Sequence, residues 1–76
     1  MEGDLIMRCR IKYIHPTTGN IYYFVDFRSD GENLRPIGCL PYHKQNSTVF
    51  QSKLEALKVS EYLVSLGYIR VFIVRY

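Results

Sequence analysis

Apolar and polar positions alternate with period two from Leu5 to Ile14. Leu5, Met7, Cys9, Ile11 and Tyr13 fall on one parity, and Arg8, Arg10 and Lys12 on the other. Successive side chains of a strand point to opposite faces, so this stretch predicts a strand with one dry side and one cationic side. His15-Pro16-Thr17-Thr18-Gly19-Asn20 is turn chemistry, with proline setting the bend and Gly-Asn tolerating positive φ. Ile21 to Phe27 is rich in β-branched and aromatic residues and predicts a second strand. Ile21, Tyr23, Val25 and Phe27 form its more apolar side; Tyr22, Phe24, Asp26 and Arg28 form the other. Ser29 to Asn33, built around Asp30-Gly31, predicts a hairpin loop. Leu34 to Leu40 is a weaker third strand. Pro36 and Pro41 cannot donate to a ladder, which puts that strand at a sheet edge.

The period changes after the polar loop His43 to Ser47. Ser52-Lys53-Leu54-Glu55 matches a capping box, so a helix is predicted from Lys53 to about Leu66, stopped by Gly67 as a left-handed cap. Ala56, Val59, Leu63 and Leu66 make its apolar stripe, flanked by Leu57 and Tyr62; Lys53, Lys58 and Glu61 lie away from it. Tyr68 to Tyr76 closes the chain as a strong strand. Ile69, Val71 and Ile73 share one side of it, and Arg70, Phe72, Val74 and Tyr76 the other. The order β-β-β-α-β predicts an α+β fold: a four-stranded, mostly antiparallel sheet in the order 3-2-1-4, with one helix packed on one face.

One helix covers one side of such a sheet. With the odd-numbered faces turned to the helix, the uncovered side carries Arg8, Arg10, Lys12, Tyr22, Phe24, Arg28, Arg70, Phe72 and Tyr76, the candidate partner-binding residues. Rings on a flat sheet stack on unpaired bases at about 1–3 kcal/mol each while Arg and Lys neutralise phosphates. The same face, with Val74 added, is an exposed apolar patch of the kind that marks protein interfaces. The expected function is a small non-enzymatic binding protein acting in a protein–protein complex, as an inhibitor or adaptor, and self-associating as a homodimer through its last strand. The alternative is a nucleic-acid-binding module for single-stranded or arm-type DNA binding.

Composition sets the bounds. Seventy-six residues make one domain, and at 47% hydrophobic and 14% aromatic they provide a core without staples. Seven Tyr and no Trp favour half-exposed rings, packed on one side and wet at the hydroxyl. The formal charge of +3 is uneven. Residues 1–34 hold four bases against five acids, and residues 35–76 hold six against two. A cationic balance of this size suits nucleic acid or an acidic protein. MEGDLIM has no apolar run of the secretory kind, and no stretch is long enough for a membrane span, so a cytoplasmic protein is expected. Cys9 and Cys39 then read as free thiols.

Cys9, His15, Cys39 and His43 have the side chains of a tetrahedral zinc site, but C-x5-H and C-x3-H are not finger spacings, and Cys9 falls among core positions. No metal or other cofactor is expected. A Cys9–Cys39 disulfide would span two strand widths, about 9–10 Å, which is too far. Asp26 reads as a cross-strand charge partner for Arg8 or Arg10. No nucleophile–base constellation or Gly-rich phosphate loop can be assembled, so neither catalysis nor a small-molecule substrate is expected. The aromatic antiparallel meander followed by a helix, residues 5–66, is similar in topology to the arm-type DNA-binding domains of some phage and transposon integrases. In size the chain resembles phage-encoded proteins that bind and disable a host factor.

Overall fold

The computed structural model describes residues 7–76. They form strands β1 (Cys9–Ile14), β2 (Ile21–Asp30), β3 (Asn33–Cys39) and β4 (Val71–Arg75), a helix α1 (Lys53–Ser65), and a 3-10 turn over Pro41–Asn46. The sheet is antiparallel throughout, in the predicted order β3-β2-β1-β4. Leu5, expected on the inner side of β1, lies outside the described residues.

β1 follows its alternation. Cys9, Ile11 and Tyr13 are buried against α1 and stand opposite Arg75, Ile73 and Val71 of β4. From the helix, Ala56 and Leu63 are fully buried and Val59 packs beside them. Ser52 caps α1: its hydroxyl accepts from the Glu55 amide at 3.2 Å and donates to the Glu55 carboxylate at 3.2 Å. At the other end Gly67 takes φ 106°, the Gly67 amide donates to the Val64 carbonyl at 3.0 Å, and the Tyr68 amide to that of Leu63 at 3.1 Å. This pair of bonds is a Schellman motif, and its left-handed residue is where glycine carries no Cβ penalty.

β2 departs from the expected facing. Tyr22 pairs with Tyr13, Tyr23 with Lys12 and Ile21 with Ile14. Directly opposed residues share a face, so Tyr22 turns toward α1 and Tyr23 away from it. Phe24 is 4% exposed, its ring 4.9 Å from that of Phe27 and 6.1 Å from that of Phe50. A β-bulge between Phe24 and Asp26 then resets the alternation, so Phe24 and Phe27, three apart, both face the helix. Both parities of β2 carry rings, so hydrophobicity alone could not choose between them.

Beyond Lys12–Tyr23, β1 and β2 diverge and another segment lies between them. The Thr48 amide donates to the Phe24 carbonyl at 3.0 Å, and Phe50 exchanges two backbone bonds with Cys9 at 2.8 and 3.0 Å. Through this gap the chain passes from the 3-10 turn on the cationic side to α1 on the other. The helix covers β1 and β4, while the 3-10 turn packs on β2 and β3 from the opposite side. Gly38, opposite Phe24, makes room for the Tyr13 ring on the helix side. A Cβ there would meet the Tyr13 hydroxyl and stand 2.7 Å from the Tyr22 Cβ.

Candidate partner-binding face

The ladder between β1 and β4 builds the cationic face one pair at a time. Arg10 stands opposite Val74 and Lys12 opposite Phe72, and the Tyr76 amide donates to the Arg8 carbonyl at 3.0 Å. The guanidinium carbons of Arg8 and Arg10 lie 4.8 and 4.6 Å from the Tyr76 ring centre, and the Lys12 ammonium 5.5 Å from that of Phe72. Cations placed over ring faces are held by the ring quadrupole. Phe72 and Tyr76 remain 44% and 58% exposed. Arg70 joins the end of this surface, its carbonyl accepting from the Ile14 amide at 3.1 Å.

Arg10 is tied down further. Its Nε donates to the Ser47 hydroxyl at 3.0 Å, and that hydroxyl donates to the Lys44 carbonyl at 2.5 Å. Ser47 is buried, so the 3-10 turn and β1 are joined through a satisfied polar link. Nothing in the spacing of Ser47 announced this role, and only the fold brings it beside a residue 37 positions earlier.

Six of the nine candidate residues meet here: Arg8, Arg10, Lys12, Arg70, Phe72 and Tyr76. Arg28 lies on the same side of the sheet but beyond the bulge, opposite Arg35 in the distal arm of the β2–β3 hairpin. Tyr22 and Phe24 lie on the other side, in and against the core. The ring that β2 does send to the cationic side is Tyr23, and it is buried. The uncovered surface is therefore the β1–β4 half of the sheet, not its whole width.

Acidic groups are scarce on this surface. Asp26 faces it from β2, opposite Ile37, but its Oδ1 accepts from the Phe27 amide at 2.8 Å rather than pairing with Arg8 or Arg10. The one ion pair among the described residues joins Arg35 and Asp30 at 3.6 Å in the exposed hairpin arm. Arg8, Arg10, Lys12 and Arg70 thus keep their charges without a carboxylate partner among the described residues.

The residues considered for zinc are dispersed. Cys9 faces α1, and Cys39, opposite Tyr23, faces the other side. Burial, with the Glu55 carboxylate adding to it, pushes the Cys9 thiol above its usual range. The Cys39 thiol donates to the His43 carbonyl at 3.4 Å. His15 accepts from the Thr17 and Thr18 amides through Nδ1 at 3.2 and 3.3 Å, so it organises its own turn.

A concavity of about 810 Å³ lies on the helix side over the β2–β3 hairpin and is lined by Tyr13, Tyr22, Tyr62, Tyr68 and Pro36 among others. The Tyr13 phenol at its base is raised well above its ordinary range, chiefly by burial and then by Tyr68 and Tyr22. The count of seven tyrosines was the only sign of this groove in the sequence. Compared with known protein families, characterised proteins and solved structures, the chain matches none.

Proposed function

We propose that the chain is a non-enzymatic binding domain, an inhibitor or adaptor in type, which holds an acidic protein partner on the β1–β4 half of its sheet. The observation that carries this is four cations without carboxylate partners among the described residues, interleaved with the exposed rings Phe72 and Tyr76. Arg and aromatic side chains dominate the energetics of protein interfaces, where an Arg head pairs with carboxylates while rings exclude water. The turning of Tyr22 and Phe24 to the helix side supports a protein over a nucleic acid. It removes two of the four rings of a base-stacking platform and leaves Phe72 and Tyr76 about 13 Å apart along β4.

Arg8 and Lys12 are the residues to test, because Arg10 also anchors Ser47 and its reversal would disturb the 3-10 turn. The experiment compares the wild type with the Arg8→Glu, Lys12→Glu double variant as bait in nuclease-treated lysate. Each is also titrated with labelled single- and double-stranded 20-mers at 50 and 200 mM salt. A protein captured by the wild type and lost with the variant, alongside weak oligonucleotide binding, is expected. Saturable oligonucleotide binding that the variant abolishes, falling steeply with salt, would assign the face to nucleic acid instead.

A further inference from the structure

We infer that two copies of this chain pair through β4, antiparallel about a two-fold axis at Ile73, joining their sheets into one of eight strands. This inference is independent of what the cationic face binds. The two sheet edges differ. β3 carries Pro36, which offers no N–H to a neighbour, whereas β4 has neither proline nor bulge. Its even positions turn their backbone toward β1, as the bonds of Arg70 and Tyr76 show, so Val71, Ile73 and Arg75 present theirs outward.

The helix supplies the second observation. Leu57 and Val64, two turns apart, are 41% and 48% exposed. They lie on the flank of α1 opposite Tyr62, which reaches across to Phe27 of β2 at 5.2 Å, so they overhang the outer edge of β4, which no other strand among the described residues pairs. α1 packs on β4 and β1, and a helix centred over two strands has its axis about one strand spacing from the line along which a further strand pairs. With strands about 4.8 Å apart, two-fold pairing puts the two helix axes about 10 Å from each other, the separation at which helices pack.

The levels match as well. The Cys9 thiol reaches the Ser52 carbonyl at 3.9 Å, which sets the start of α1 level with Arg75. Tyr68 packs edge-on against Tyr13 at 5.5 Å, which sets its end level with Val71. The middle of the helix is therefore level with Ile73, and a two-fold axis there brings Leu57 of each copy against Val64 of the other. At the strand ends Arg70 of each copy stands opposite Tyr76 of the other.

About a dozen residues per copy, at about 30–40 Å² each, bury about 700–950 Å² in total, at the low end of transient complexes. Dissociation on the order of 100 μM is the natural expectation for so small an interface. The test is sedimentation equilibrium of the whole chain from 10 μM to 1 mM, on the wild type and on Leu57→Glu and Val64→Lys, with far-ultraviolet dichroism confirming the fold. The wild type should approach twice the 9.0 kDa chain mass. Each variant alone should dissociate at least about tenfold more readily, because it buries an unpaired charge. An equimolar mixture should recover association, since the introduced carboxylate then meets the introduced ammonium. A monomeric wild type at 1 mM, a dimer indifferent to both variants, or a mixture no tighter than its components would overturn the pairing.

Discussion

Phe24→Ala separates the observed facing of β2 from the opposite one. Phe24 is 4% exposed and its ring meets Phe27 at 4.9 Å and Phe50 at 6.1 Å, so truncation empties the junction of β2, the inserted Phe50 segment and α1. Buried Phe→Ala changes cost about 3–5 kcal/mol. A domain of this length has about 4–11 kcal/mol of stability in all, at 0.05–0.15 kcal/mol per residue. The variant should therefore lose between about a quarter and all of it. With a urea dependence of about 1 kcal/mol per molar, the midpoint followed by circular dichroism should fall by about 3 M or more. Phe72→Ala, at a ring 44% exposed, should shift it by less than about 1 M. Were Phe24 on the solvent side, the two variants would behave alike. Equal midpoints would refute the register drawn for β2.

Ser52→Ala removes the acceptor of the Glu55 amide and should cost about 0.5–2 kcal/mol; an unchanged denaturation midpoint would remove Ser52 from the cap. Alkali should also destabilise the fold. Cys9 and Tyr13 hold their protons more tightly when folded than at their ordinary values of 9.0 and 10.0. Above those values the unfolded chain releases its protons first, so this stability is fully present below about pH 9 and is lost as pH rises. Urea midpoints measured from pH 8 to 11 should fall less steeply in Tyr13→Phe than in the wild type, and parallel profiles would dismiss Tyr13 as a source.

Strong local signals carried most of the fold. The alternation of β1 had rings or aliphatics on one parity and bases on the other, so its facing was unambiguous, and the capping box and Gly67 bounded the helix to within one residue. The edge position of β3 followed from proline chemistry alone. β2 failed because Tyr22, Tyr23, Phe24 and Phe27 satisfy either parity until a bulge is allowed, and a bulge is decided by partners distant in sequence. The insertion of Thr48 to Phe50 between β1 and β2 is likewise a tertiary event, stabilised by Cys9 and Phe24 rather than by any local propensity. For the candidate site this meant that the bases of β1 and the rings of β4 were legible, while the width of the surface was not.

The division of the sheet into two diagonal halves has a consequence for binding. Were both sides of β1–β4 covered, its bases would need partners inside the protein; were neither covered, no core would form. Sending the chain through the gap between β1 and β2 puts α1 under β1–β4 and leaves the cations above it facing solvent. Those cations are already ordered. Arg10 is fixed by Ser47 and by the Tyr76 ring, Arg8 by the same ring, and Lys12 by Phe72. Long side chains that arrive ordered forfeit less rotamer entropy on binding, a saving of about 0.5–1.5 kcal/mol for each one immobilised in advance. Tyr76 orders two of them at once, so its removal should weaken partner binding more than its own contact area implies, without lowering the charge of the face.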